Sequence, residues 1–213
     1  MKKISCHAVL FLFLCAVAGQ GSDVSARRII QNVEKNLDSD RILMFAFEES
    51  YHWALTGEEH VLSGTIILGK GDRFRITTED QIIVSDGETL WTYSKPDHRV
   101  LVDKAAVSGE ALLPRQIFFR YTRDFSARLE GKVEIGDKKC YLLNLEADDK
   151  SVFVPFVRIW VDESSWLPVQ IEQKDVGGNT SVYLIHPIRR DEKVPADAFR
   201  FKIPQGAEVI QMH

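Results

Sequence analysis

The sequence predicts a mainly β protein: about eleven antiparallel strands in a meander that curls on itself, with two short helices to cover its concave face. Three observations lead to this fold class. Beyond residue 41, apolar and polar residues alternate with the period of a β-strand. Turn signals interrupt that alternation at short intervals. Two other segments, one before the strands and one in their middle, instead have helical spacing or composition.

The composition is that of an ordinary folded domain. The chain has 213 residues, of which 45% are hydrophobic and 27% are charged, which is enough for one sizeable core. The formal net charge is -4, a balance with no general attraction for nucleic acid. The three cysteines are too few and wrongly placed for a disulfide framework. We therefore expect a single domain over residues 19–213 and no nucleic-acid partner.

Residues 1–18 are typical of a secretory signal peptide. Lys2 and Lys3 precede an apolar run over residues 9–17, and Ala16-x-Ala18 supplies the small residues of a cleavage site before Gly19. The run is about half the roughly 20 residues that span a bilayer. The sequence therefore predicts export to the periplasm, where Cys140 would be the one cysteine of the processed chain.

Two alternatives for this segment stay open. One is a retained anchor or a buried N-terminal helix. The other is lipid modification of Cys15, against which Leu14 argues, because a lipobox has a small residue at that position.

The first helix is predicted over residues 24–37. Ile29, Ile30, Val33 and Leu37 fall on one apolar stripe, and charged residues occupy the other side. An amphipathic helix of this kind needs an apolar surface to cover.

The strand candidates follow the first helix and are separated by turn signals. The clearest signal is Asp86-Gly87, because a two-residue hairpin turn requires positive φ. Short links between successive strands favour antiparallel neighbours. The candidates are 42–53, 61–68, 72–77, 81–85, 89–94, 99–103, 126–135 (one strand or two), 139–146, 153–161, 167–174 and 179–188.

A second helix is predicted over residues 105–121. The stretch L-L-P-R-Q-I-F-F-R-Y has helical composition, with Leu113, Ile117 and Phe118 on one face. Pro114 suits the first turn of a helix.

No catalytic or metal-binding pattern occurs in the sequence. It has neither G-x-S-x-G nor H-E-x-x-H, and no two histidines have metal-ligand spacing. Gly69-Lys70-Gly71 lacks the rest of a phosphate-binding loop. We therefore expect no enzyme activity, no metal and no cofactor, and a lipid hydrolase is the least favoured function.

The apolar residues have two possible uses. A closed small barrel fills its interior with side chains, whereas an open barrel under helices leaves an apolar cavity. The chain has 12 Phe, 4 Trp and 5 Tyr residues, but the core of any sheet shows aromatic alternation. From the residues alone, a filled core and a ligand cavity both remain open.

Several blocks of the sequence resemble a known family. Residues 63–103 contain S-G-T-I-I-L-G-K-G-D-R-F-R-I, Q-I-I-V-S-D-G-E-T-L-W-T-Y-S and R-V-L-V. V-R-I-W-V-D-E-S-S-W-L-P-V-Q follows, and the chain closes with F-R-F-K-I-P-Q-G-A-E-V-I. Together they resemble the LolA family of periplasmic carriers of outer-membrane lipoproteins. The likeness covers nearly all of the chain after the signal segment, and I-V-S-D-G-E-T-L-W-x-Y is long and specific.

The resemblance implies an architecture, a function and partners. Family members fold as an incomplete eleven-stranded antiparallel barrel with helices over the open side, and the cavity takes the acyl chains of a lipoprotein. They receive it from an ABC-type release complex of the inner membrane and deliver it to the outer membrane, where an acceptor protein is a further partner. We therefore expect a monomeric periplasmic carrier. Another role on the same scaffold, an envelope-stress sensor or a glycolipid carrier, is the alternative.

The predicted acyl-chain site draws on strand alternation and on the second helix. Phe74 and Ile76 share one strand face, while Arg73 and Arg75 point to the other. The six predicted lining residues are Phe74, Ile76, Trp91, Leu113, Ile117 and Phe118.

Lys70 is the predicted lid latch. The resemblance places it where the family has an arginine that fastens the lid, with Gly71 at a proline position and Ile76 at a tryptophan position. Lysine offers a point charge where arginine offers a planar fork. The alternative is an ordinary solvated turn residue.

Overall fold

The computed structural model describes residues 24–37, 42–105, 124–190 and 193–212. This part of the chain contains one helix and thirteen strands: α1 (Ala26–Leu37), β1 (Leu43–His52), β2 (Glu59–Leu68), β3 (Arg73–Thr78), β4 (Gln81–Asp86), β5 (Thr89–Ser94), β6 (Arg99–Lys104), β7 (Phe125–Ile135), β8 (Lys138–Ala147), β9 (Phe156–Asp162), β10 (Pro168–Lys174), β11 (Thr180–Ile185), β12 (Arg189–Arg190) and β13 (Glu208–Gln211). The predicted signal segment lies outside the described residues, as does the predicted second helix apart from Ala105.

All thirteen strands belong to one sheet, built from two antiparallel meanders. Strands β1 to β6 are successive neighbours, strands β7 to β11 are successive neighbours, and β1 pairs with β11 to join the two sets. No pairing joins the two outermost strands, β13 and β7, in the described part of the chain, so the sheet is open. The predicted mainly β fold with an open antiparallel barrel is confirmed.

All eleven predicted strands occur, with ends within about three residues of those predicted. Residues 126–135 form the single strand β7, which has a bulge between Leu129 and Gly131. Two short strands, β12 and β13, were not predicted. β13 also pairs with β6 in parallel, so the meander is not antiparallel throughout.

Helix α1 covers the inner face of the sheet. Ser25 caps the helix by accepting a 3.3 Å hydrogen bond from the backbone N–H of Arg28. Ile29, Val33 and Leu37 are buried in one core with inner-facing side chains of both meanders. This confirms the predicted stripe, although Ile30 is only partly buried. No helix among the described residues has the length and apolar composition needed to cross a membrane.

The outer face of β3 to β6 has a cover of its own. Val84 and Val100 face outward and are fully buried, and the C-terminal segment, residues 193–207, contacts this side. The Arg73 guanidinium lies 5.5 Å from the Phe199 ring centroid, and Arg75 Nη1 donates to the carbonyl oxygen of Ala198 at 3.4 Å. The prediction that both arginines point away from Phe74 is confirmed.

Candidate functional site

The inner face of the sheet is buried unevenly. In the meander that contains β8 to β10, inner-facing residues such as Leu143, Val157 and Ile171 are at most 2% exposed. Around β8 to β10 the core is therefore filled, although inner-facing residues of β7 and β11, among them Leu129 and Tyr183, are only partly buried. In the other meander, a row of inner-facing residues is only partly covered, so this second half is the candidate binding surface.

Three isoleucines define that surface. Ile66 of β2 pairs with Ile76 of β3, which pairs with Ile83 of β4. Paired residues in an antiparallel sheet project to the same side, so the three form one apolar row, the isoleucine row. Each is partly buried and packs against the core. An apolar row that is covered only in part can accept a further apolar group without displacing the core.

The row beside it is fully buried and supports it. Leu68 pairs with Phe74, Phe74 pairs with Ser85, and Ser85 pairs with Leu90. These four residues are at most 3% exposed. The isoleucine row therefore borders a fully packed part of the core.

The structure divides the six predicted lining residues. Phe74 and Ile76 lie on the inner face, in the buried row and in the isoleucine row. Trp91 pairs with Val84, which faces outward, so Trp91 does not share a surface with them. Leu113, Ile117 and Phe118 lie outside the described residues.

Sequence reasoning missed Ile66 and Ile83. Both stand in apolar runs, Ile66-Ile67-Leu68 and Ile82-Ile83-Val84, where alternation alone does not show which residue faces inward. Their pairing with β3, where Arg73 and Arg75 mark the outer side, supplies the missing information.

Lys70 lies in the turn between β2 and β3. The turn is closed by a 2.8 Å hydrogen bond from the backbone N–H of Gly69 to the Arg73 carbonyl, and Gly71 supplies a φ of +66°. Arg73 Nε also donates to the backbone carbonyl of Lys70 at 3.1 Å. These contacts fix the turn and leave the Lys70 side chain exposed, so the latch role stays a prediction.

A charged cluster lies at the end of β9, against the filled half of the core. Glu163 accepts hydrogen bonds from Lys132 and from Tyr141 Oη, the latter at 3.0 Å. These bonds, that from Lys132 foremost, lower the pKa of the Glu163 carboxyl. Burial, more than the bond to Glu163, raises the pKa of the Tyr141 phenol. Because these groups satisfy one another, we interpret the cluster as structural.

Trp166 completes this cluster in a strained conformation. Its ring stacks on Tyr141 with a centroid distance of 5.5 Å, and its φ is +56°, which is rare for a bulky residue.

In the part of the chain that the structure describes, no group of three His, Cys, Asp or Glu residues could hold a metal ion.

Residues 53–202 match the family described as "Outer membrane lipoprotein carrier protein LolA". A relative from Legionella pneumophila (strain Corby), named outer-membrane lipoprotein carrier protein, is 32% identical over 158 residues. The match covers 70% of this chain and 73% of that protein.

Solved structures share the fold at low sequence identity. An uncharacterized conserved protein from Thermus thermophilus has a TM-score of 0.61 at 13% identity, covering 87% of this chain and 98% of its own. LprF from Mycobacterium bovis has a TM-score of 0.50 at 8% identity, with coverages of 85% and 97%. At such identities the likeness extends to the fold alone.

Proposed function

Because this chain belongs to the LolA family of outer-membrane lipoprotein carrier proteins, we propose that it binds the acyl chains of lipoproteins and carries them through the periplasm from the inner to the outer membrane. The observation that carries the proposal is the isoleucine row, an apolar surface only partly covered on the inner face of an open sheet. Carriers of this family bind their cargo without chemical change, so no catalytic group is needed.

The physical task explains why such a surface is needed. Each CH2 group moved from an apolar environment into water costs about 0.8 kcal/mol, so a multiply acylated lipoprotein does not cross water unshielded. The carrier must nevertheless release its cargo. A cover that has to be displaced when cargo binds lowers the net affinity, because displacing it costs free energy.

The proposed lining combines residues of the inner sheet face with residues of the predicted second helix. Ile76 is supported by its position in the isoleucine row, where Ile66 and Ile83 join it. Phe74 stays a proposed lining residue, one that cargo would reach by displacing the cover of the buried row. Leu113, Ile117 and Phe118 are proposed as the apolar face of the second helix. Trp91 is left out because it faces the other side of the sheet.

The remaining parts of the proposal come from the sequence. The chain is processed before Gly19, works as a monomer in the periplasm and needs no cofactor. It receives lipoproteins from an inner-membrane ABC-type release complex and passes them to the outer membrane or to an acceptor there. Lys70 fastens the closed lid.

The test is to purify the protein from the cell envelope and identify what copurifies by mass spectrometry. Acylated lipoproteins, displaced when the preparation is treated with a lipase that removes their acyl chains, would support the proposal. Copurification of a glycolipid, or of a protein without acyl chains, would contradict it in favour of another binding role on this scaffold.

A further inference from the structure

The inner side of β1 leads from the core to solvent. Leu43 and Phe47 are 0% and 7% exposed, whereas Trp53 and Leu55, just beyond the strand, are 39% and 96% exposed. Tyr51 links the two parts, since its ring contacts Trp53 edge to face at 5.4 Å. Glu49 lies between Phe47 and Tyr51 on the same side of the strand, so the apolar surface is interrupted there, resumes at Tyr51 and ends on a leucine in water.

Two further loops lie beside that leucine. The backbone N–H of Ala54 donates to Asn179 Oδ1 at 3.1 Å, and that of Val176 donates to the carbonyl of Phe153 at 3.0 Å. Residues 53–58, 148–156 and 175–179 therefore form one surface, the loop end. It carries five of the eleven large apolar side chains that the described part of the chain exposes: Trp53, Leu55, Phe153, Phe156 and Val176.

The loop end is held in a defined conformation. Asp175 accepts hydrogen bonds from the backbone and the side-chain amide of Asn179, at 2.9 and 2.8 Å. Backbone bonds between Trp53 and Glu58 (2.9 Å) and between Gly57 and Trp53 (2.8 Å) close the first loop. The apolar tips are thus presented to water by an ordered framework, at a cost in hydration free energy.

We propose that the loop end contacts the surface of a phospholipid bilayer, with Leu55 inserted between the headgroups and Trp53 at the interface. The inference rests on the proposed function, because a carrier of acyl chains must meet membranes where it loads and unloads.

The shape of the loop end favours lipid over a protein partner. The apolar tips project from three separate loops, and a fluid surface can accommodate them without matched packing, which a protein interface requires. Indole rings favour the interface between water and hydrocarbon. These loops carry four carboxylates, Glu58, Asp148, Asp149 and Asp175, against one basic side chain, Lys150, so the loop end is acidic. Binding should therefore occur on a zwitterionic bilayer and should not require anionic lipid.

The experiment uses exported protein from the soluble envelope fraction and vesicles without lipoprotein, made of phosphatidylcholine alone or with phosphatidylglycerol added, and binding is measured by flotation. Leu55→Asp should lower the partition coefficient by about tenfold or more. A change of this size corresponds to the free energy gained when one leucine side chain is buried. Met212→Asp is the matched control, because Met212 is 56% exposed and lies directly after β13. It should bind within about twofold of wild type, since its side chain lies outside the loop end.

Four outcomes would overturn the inference. The first two are a wild-type protein that does not float with the vesicles and a Leu55→Asp variant that binds as well as wild type. The third is binding that requires anionic lipid and is lost in high salt. The fourth is a wild-type dimer, measured by light scattering, that becomes a monomer in Leu55→Asp. The last result would identify a second copy as the partner. Copurification of acylated lipoprotein with the wild-type protein tests the proposed function separately, because its outcome does not depend on Leu55.

Discussion

Phe47 of β1 lies directly over Gly64 of β2. The two residues are register partners, and a Cβ atom on Gly64 would lie 2.7 Å from Phe47 Cε1 and 2.7 Å from the backbone oxygen of Thr77. The aromatic ring could shift, but the backbone of β3 could not shift with it cheaply. Glycine is therefore required at this position for Phe47 to pack in the core.

We expect Gly64→Ala to lower the free energy of unfolding by about 1–3 kcal/mol, the usual cost of overpacking a core. Urea denaturation of the purified protein measures the change. Ser63→Ala is the control, because Ser63 is the exposed neighbour on the same strand, and it should leave the midpoint nearly unchanged. Equal midpoints for Gly64→Ala and wild type would show that β2 and β3 can separate to admit a methyl group.

Two adjacent residues of β2 test the proposed binding surface. Ile66→Asp puts a charge into the isoleucine row and should abolish copurification of acylated lipoprotein, because an unpaired charge in an apolar site is strongly unfavourable. Thr65→Asp puts the same charge on the exposed outer side and should retain the cargo. Circular dichroism of both variants checks that they fold. If the two folded variants retained cargo equally, the inner face would not be the binding surface.

The same change at Ile117 tests the predicted second helix. Ile117→Asp should also abolish acyl-chain binding if that residue faces the cavity. A folded variant that binds acylated lipoprotein as tightly as wild type would contradict the assignment of residues 105–121 as a lid.

Lys70 is tested by a pair of substitutions with opposite expected signs. If its ammonium group fastens the closed, empty lid, Lys70→Leu should make opening easier and lengthen retention of the cargo. Lys70→Arg should shorten retention, because a planar fork makes a stronger latch. Transfer from the loaded carrier to acceptor membranes measures both. Three identical transfer rates would identify Lys70 as an ordinary turn residue.

Glu163 should give the protein a pH-dependent stability. Its hydrogen bonds to Lys132 and Tyr141 hold the pKa of its carboxyl below the ordinary value. Their contribution to the free energy of unfolding is therefore fully present above the unfolded-state pKa of about 4.3, and it is lost as the pH falls through the lowered pKa of the folded state. We expect Glu163→Gln to be less stable than wild type near neutral pH and to approach it in acid. Glu134→Gln, at an exposed position of β7, is the control, and a constant difference from wild type at every pH would contradict the assignment.

Most of the fold could be predicted because each strand and its hairpin turn are encoded by residues close together in the sequence. Alternation and turn residues locate β1 to β11, since each hairpin is closed by neighbours in sequence, as at Asp86-Gly87. β12 and β13 have two and four residues, too short for a period to be seen. The parallel pairing of β13 with β6 joins distant parts of the chain, and local patterns do not encode such a contact.

The candidate site could be predicted only in part, for a related reason. Phe74 and Ile76 could be placed on one face because arginines alternate with them. Trp91 stands in T-L-W-T-Y, where Leu90 and Trp91 are adjacent and both apolar. Both faces of β5 are covered, because one packs in the core and the other lies near the C-terminal segment. When both faces are buried, apolar character no longer identifies the inner one.

The joining of β1 to β11 sets the order in which this chain can fold. Each meander consists of hairpins that form from neighbouring residues, but the seam pairs Phe47 with Ile185, which are separated by most of the chain. Such distant contacts slow folding, because a long loop must close before the contact stabilises anything. The two half-sheets therefore remain unjoined until nearly all of the polypeptide is present. Late joining of this kind keeps the polypeptide able to thread through a narrow pore, as the export proposed for this chain requires.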